Sequence, residues 1–520
     1  MSLENHREGF YTVEKCQSPS LGSTPLRPLA LVMCALMATA CSSVSTVQPE
    51  PLALTELEAS ANAHAATQEP PVELADVNWW QQFSAPQLNR LVEQGLRENY
   101  SLQAAWERLS ASRAVAEQQA SGRYPTLNIT AGRSRSWTES ATASSTSDNW
   151  SAGLSTEYEL DFWGRVSALD KQGELSALST EAAGRVQANT TANGIVQAWY
   201  GWVYQERLMD LLLQQQRRVE NSLKATESRF RRGLAVRSDV WQQQQLLESL
   251  TSEINESRRQ QQLQGQQLAV WSGQSRWLAS AGVDGEALVA LQSSMFPDIA
   301  EVPEVPLAAL KERPDVQQAW YDLQADNAAV AAAVANRYPR VTLSASYSGS
   351  APQWDDLFDN WVANLAGNLV LPLLDGGNRK ATVLQREAQV REAVASYQQT
   401  LLNAVQEVRA AQTNEAAVLR EISSLETRLD LARKTEASQQ VRYLRGVVDL
   451  LQLITAQRSV LTLEQQLLAA RWQQLQYRIQ LFKAVSHGHF DSVAASSQTS
   501  ETESSQVLSP SLSAQKGDQA

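Results

Sequence analysis

The residues able to do chemistry are few, and they are badly placed for catalysis. Cys41 closes the run Ala38-Thr39-Ala40-Cys41-Ser42, small residues before a thiol. That is the form of an export signal whose cysteine, freed at the cut, takes a lipid; the alternative is a cut after Ala40 that leaves a free thiol. His487 and His489 lie near the end of the chain, with no cysteine or acidic cluster to complete a metal site. Asp148, Glu157 and Glu159 offer carboxylates, but Glu157 and Glu159 alternate along a strand-like run, which explains their spacing without acid–base work. The chain has no phosphate-binding glycine loop, no dinucleotide fingerprint and no H-E-x-x-H pair. The expectation is a non-enzyme with no cofactor and no metal.

The stretch from Pro28 to Ala40 is apolar, follows Arg27, and is too short to span a bilayer. Glu4, Glu8 and Glu14 precede it, where a basic leader is expected; a start nearer Arg27 would account for them. The three cysteines are Cys16, Cys34 and Cys41, so processing leaves Cys41 alone and excludes disulfides in the mature chain. The 520 residues carry a net charge of −12 with no basic stripe, which argues against a nucleic-acid partner. No run of eighteen apolar residues is present, so no transmembrane helix is written here.

The elements that position these residues come twice. Trp106 and Trp320 are offset by 214 positions, as are Tyr124-Pro125 and Tyr338-Pro339, and Gly233 and Gly446 are offset by 213. Three landmarks at one offset indicate an internal duplication. Each half reads helix, strand, loop, strand, very long helix, turn, helix. In the first half the helix runs from Ala85 to Gly122, with strands 124–137 and 149–162. A long helix follows from Arg165 to Arg232, with a partner from Asp239 to Trp271. In the second half the helix is Val316 to Arg337, the strands are 338–350 and 360–374, and the last helices are Arg379 to Arg445 and Leu450 to Val485. The expected division is a signal over 1–41, a tether over 42–76, a first repeat over 77–274, a proline-bearing linker over 275–312, a second repeat over 313–490 and a disordered tail over 491–520.

A helix of that length spans about 100 Å at ~1.5 Å per residue, wider than one globular core. Its apolar residues recur at three-four spacing, as in Val394, Tyr397, Leu401, Val405 and Val408, which reads as a coiled-coil-like seam. The Gln-rich opposite faces, Gln242 to Gln245 among them, read as solvated. The strands alternate: Trp150, Ala152, Leu154, Thr156, Tyr158, Leu160 and Phe162 on one face, Ser151, Ser155, Glu157, Glu159 and Asp161 on the other. Four strands cannot close a barrel. They form either a soluble sheet or one share of a membrane barrel completed by other copies. Trp137, Trp150, Trp354, Phe358 and Trp361 flank the connecting loops and suit an interfacial girdle.

Gly233 and Gly446 end the long helices, with Arg231, Arg232 and Arg445 in the last turn and Ser238, Asp239 and Asp449 available as caps. A plain hairpin turn accounts for most of that pattern.

Over residues 78–486 the chain resembles TolC-like outer-membrane efflux proteins of the lipoprotein branch. The duplication, the two Arg-Tyr-Pro strand entries, the two R-F/Y-x-R-G tips and GVVDLLQLITAQRSVL carry the resemblance. It implies a mainly α protein with a membrane β-barrel: a homotrimer with a twelve-stranded barrel in outer-membrane lipid above an α-helical tunnel. It also implies a periplasmic adaptor docked at tips Arg232, Gly233, Leu234, Arg445, Gly446 and Val447, and an inner-membrane pump of the RND type. The implied function is export of small molecules, with one-step (type I) protein secretion as the alternative. Members commonly carry an acid at the tunnel constriction; here that stretch is Leu453-Ile454-Thr455-Ala456-Gln457. Thr455 takes the acid's place, Gln452 is neutral too, and Asp449 is the nearest carboxylate. A third alternative is a coiled-coil scaffold without a pore.

Overall fold

The computed structural model describes residues 78–274 and 310–486. Cys41, the tether 42–76, most of the linker 275–312, both tail histidines and the tail 491–520 lie outside the described residues.

The first repeat opens with two helices, α1 (Pro86–Glu98) and α2 (Tyr100–Ala120), where one was expected from Ala85 to Gly122. The break is at Asn99. Its side-chain oxygen accepts from Ser101 N at 2.9 Å and Leu102 N at 3.1 Å, and its amide donates to Trp271 O at 2.9 Å. An Asn capping a new helix satisfies amides that the turn would otherwise orphan.

Strands β1 (Thr126–Ser140) and β2 (Ala143–Leu160) then form an antiparallel ribbon closed at Ala141 and Thr142. The expected loop between 137 and 149 is therefore strand. Its Ser/Thr run reads as a turn by composition, yet these residues pair across the ribbon, with Ser136 Oγ 2.9 Å from Ser147 Oγ. Strands β3 (Arg340–Ala351) and β4 (Trp361–Val370) complete a sheet of order β1-β2-β3-β4. β4 stops four residues short of the expected 374, just before Pro372, which has no N–H to give a ladder.

Long helices α3 (Arg165–Arg231) and α6 (Asn378–Leu444) leave the sheet in the two repeats, and each has 67 residues. Matching aspartates start them. The Asp161 carboxylate accepts from Val166 N at 2.9 Å and Ser167 N at 2.8 Å, and Asp375 accepts from Arg379 N at 3.2 Å. Carboxylates at helix N-termini meet both the free amides and the dipole. The returning helices are α4 (Arg237–Trp271) and α7 (Leu450–Val485), with α5 (Pro314–Ala335) packed between α3 and α6.

The largest core joins α1, α2, α3, α4 and α7 around a short helical turn, Trp79–Phe83. Trp79 stacks on Phe482 with ring centres 6.3 Å apart and donates Nε1 to Asn189 at 3.1 Å. Further along, smaller clusters line the coiled seams: Leu212, Val219, Leu246, Leu250 and Ile254, then Val418, Leu425, Leu429, Val460 and Leu463. Burial spread along two hairpins, instead of gathered in one core, is what a tube wall requires.

Candidate functional site

The pairing register puts one kind of residue on each face of the sheet. Leu154 lies opposite Ile129 and Tyr347, Tyr158 opposite Leu343, and Ala345 opposite Leu365. The other face aligns Asn128, Ser155, Ser346 and Asn364 in one row, with Glu157 opposite Ser344. A sheet apolar on one side and Ser/Asn-rich on the other, with Leu127, Ile129 and Leu365 exposed, has the composition of a boundary between lipid and water. Among the described residues, neither β1 nor β4 has a partner on its outer edge.

Aromatic residues bound the apolar face at both ends. Trp150 meets Trp354 edge to face at 5.5 Å, and Tyr347 stacks on Trp361 at 5.4 Å. At the helix end, Trp163 stacks on Tyr338 at 5.0 Å and donates Nε1 to Pro339 O at 2.7 Å. From Trp150 to Leu160 the strand, tilted about 40°, climbs roughly 25 Å, the height of the apolar band of an outer-membrane barrel. Trp137 does not flank a loop as expected, since it pairs with Thr146 inside the ribbon; Trp150 lies within β2 but opposite Ala351, where β3 gives way to the connection that carries Trp354. If the apolar face meets lipid, Leu154→Arg lowers stability by roughly 2–4 kcal/mol near mid-depth, and Ser155→Arg by far less. Unfolding of the two variants in lipid measures the difference; equal costs would count against a membrane-facing Leu154.

At the far end the two helical hairpins turn identically. Gly233 N bonds Phe230 O at 2.9 Å and Leu234 N bonds Arg229 O at 2.9 Å; Gly446 N bonds Tyr443 O at 3.0 Å and Val447 N bonds Arg442 O at 2.9 Å. Both glycines have φ of 73°, so each turn is the paired-bond C-cap that favours glycine. Apolar residues following such caps commonly fold back on the helix. Here Leu234 is 60% and Val447 62% exposed, so neither is consumed by its cap. Arg232 donates Nε to Ser228 O at 3.2 Å, and Arg445 stands in the equivalent C-cap position of α6.

The capping residues meet expectation in part. Ser238 lies inside α4; Asp239 is at its third position and reaches back to Val236 N at 3.2 Å. Asp449 is the N-cap of α7 by position, but its side chain makes no cap bond, and the turn closes through its carbonyl to Gln452 N at 3.2 Å. Gln452 and Thr455 share one exposed face of α7, where Thr455 bonds back to Leu451 O at 2.8 Å. Asp449 is also exposed.

Several residues at this end had no sequence signal. Arg237 lies over both Phe230 (5.6 Å) and Trp241 (5.7 Å), and Trp241 is 60% exposed. Arg229 lies over the Tyr443 ring at 4.6 Å and bridges the two hairpins. Higher up, Glu464 is a buried hub: Arg218, Arg433 (2.9 Å) and Gln215 (3.1 Å) donate to it from α3 and α6. Burial pushes its carboxyl up, but the hydrogen bonds from Arg218, Arg433 and Gln215 outweigh burial and hold it below the usual glutamate range. Among the described residues, no group of three or more His, Cys, Asp or Glu converges on a metal position.

Comparison with known proteins agrees with this geometry. The family model described as outer membrane efflux protein matches residues 91–274 and 305–487. The chain is 28% identical over 432 residues to the pyoverdine export outer membrane protein OpmQ of Pseudomonas aeruginosa, covering 79% of this chain and 87% of that one. It is 27% identical over 490 residues to the probable efflux pump outer membrane protein TtgC of Pseudomonas putida, covering 91% and 98%. The crystal structure of the outer membrane protein VceC of Vibrio cholerae superposes with a TM-score of 0.72 at 25% identity, over 80% of this chain and all of that one. Twin repeats, a two-faced sheet with open edges and paired glycine-turned tips thus place the chain in the outer membrane efflux protein family.

Proposed function

We propose that three copies of this chain close a twelve-stranded barrel in the outer membrane and continue it as a helical tunnel. In this reading a periplasmic adaptor and an RND-type inner-membrane pump feed the tunnel with small molecules. The observation that carries it is the sheet: four strands, one apolar face, and open edges on β1 and β4. Antiparallel order lets β4 of one copy pair with β1 of the next, which removes every edge. OpmQ is named for pyoverdine export and TtgC as an efflux pump component, and small-molecule cargo of that kind is assigned here on the same basis.

Arg232, Gly233, Leu234, Arg445, Gly446 and Val447 form the surface that receives the adaptor. Gln452 and Thr455 line the periplasmic constriction beside Asp449, so the narrow end is mostly neutral. Cys41 carries the lipid that anchors the tether. Native mass spectrometry of protein extracted from outer membranes in mild detergent tests assembly and anchor together. The expected mass is three processed chains, each with an acylated Cys41. A one-chain mass would remove the barrel reading, and an unmodified N-terminal cysteine would remove the anchor.

A further inference from the structure

The face that carries Leu154 and Tyr158 continues past its aromatic level. β3 and β4 end at Ala351 and Trp361, while the β1–β2 ribbon runs on to Ser140. On the ribbon's outward face Arg133 lies opposite Trp150, and Arg135 opposite Asp148. The Arg133 guanidinium sits over the Trp150 ring at 4.9 Å, and that of Arg135 over Trp137 at 5.8 Å. Both approach one oxygen, Asp148 Oδ1, at 3.6 and 3.7 Å. Those separations are too long for hydrogen bonds, and Oδ1 has no other partner. Two half-exposed cations therefore converge on one spot, braced by indole rings, with their N–H donors unspent on any described residue.

We propose that Arg133 and Arg135 clamp a phosphate on the headgroup of an outer-leaflet glycolipid. Indole belts mark headgroup depth, and the pair begins at that level on the lipid side. Guanidinium forks match phosphate oxygens in pairs, and stacking on tryptophan fixes the fork before the ligand arrives. Asp148 gathers the two arginines but opposes the anion, leaving one net positive charge among the three. The site goes beyond the export reading and requires only that the apolar face lie toward lipid.

The test uses full-length protein in phosphatidylethanolamine nanodiscs doped with diphosphorylated lipid A or with its dephosphorylated form, and counts retained lipid by native mass spectrometry. Wild type is expected to prefer the phosphorylated lipid by about tenfold or more, in keeping with two basic side chains at a charged surface. Arg133→Gln with Arg135→Gln should abolish that preference, and Asp148→Asn should raise it. Trimer mass and export are read in the same variants and stay unchanged, so failure of the lipid site is distinguishable from failure of the duct. Equal retention of both lipids by wild type would overturn the proposal, as would a preference that survives the double replacement or falls in Asp148→Asn. Displacement of the lipid by millimolar inorganic phosphate would overturn the assignment to a lipid.

Discussion

Replacing Glu415 with Ala is expected to destabilise the protein by about 3–5 kcal/mol. Glu415 on α6 and Arg478 on α7 form an ion pair whose side chains are 9% and 5% exposed. Arg478 donates both Nε, at 2.7 Å, and Nη2 to the same carboxylate oxygen. Removal of the acid takes away the carboxylate oxygen that both Nε and Nη2 meet, inside a packed wall where water has little access to take its place. The Glu464 hub behaves differently, because Arg218 and Arg433 are 46% and 58% exposed and can turn to solvent. Replacing both members of the buried pair, as Glu415→Leu with Arg478→Met, should cost far less than Glu415→Ala alone. Thermal or denaturant unfolding in detergent measures this. A double replacement as costly as the single one would mean that the pair does more than satisfy itself.

The second large effect is on coupling. Leu234→Glu or Val447→Glu is expected to abolish export while trimers still form. Nothing lies within 4 Å of a Cβ added at Gly233 or Gly446, so replacing either with Ala strains only its left-handed backbone, at about 1–2 kcal/mol. Leu234 and Val447 serve the caps only through their backbone N–H groups, their side chains are exposed, and a carboxylate there is harmless to the isolated protein. In a desolvated apolar contact with an adaptor, the same carboxylate has no partner and is strongly unfavourable. Drug susceptibility and adaptor crosslinking, with trimer mass as the folding control, read the outcome. Normal export and normal crosslinking in both variants would reduce the tips to caps.

The parts legible from sequence were those governed by short-range rules. Tyr-Pro before alternating residues, glycine after a basic turn, and apolar three-four spacing each have a local cause, and duplication let one half check the other. Composition misled where pairing decided the structure, as in the Ser/Thr run that forms the upper β1–β2 ribbon. Asn99 looked like any polar helix residue because the Trp271 carbonyl that rewards its break lies 172 positions away. Glu464 sits among Gln and Leu like a solvated position, yet Gln215, 249 positions earlier, donates to it. The Arg237–Trp241 stack at the first tip has no counterpart at the second, where position 450 is Leu and 454 is Ile, so the duplication could not reveal it.

Export itself is the most direct test. In the native host, stripped of its other channels of this family, deletion of this chain should raise intracellular accumulation of a fluorescent pump substrate, and re-expression should return it to the starting level. That restoration is expected from the wild-type chain, and none from Leu234→Glu at equal trimer abundance. Accumulation that is indifferent to the presence of the wild-type chain would contradict its role as an exit duct.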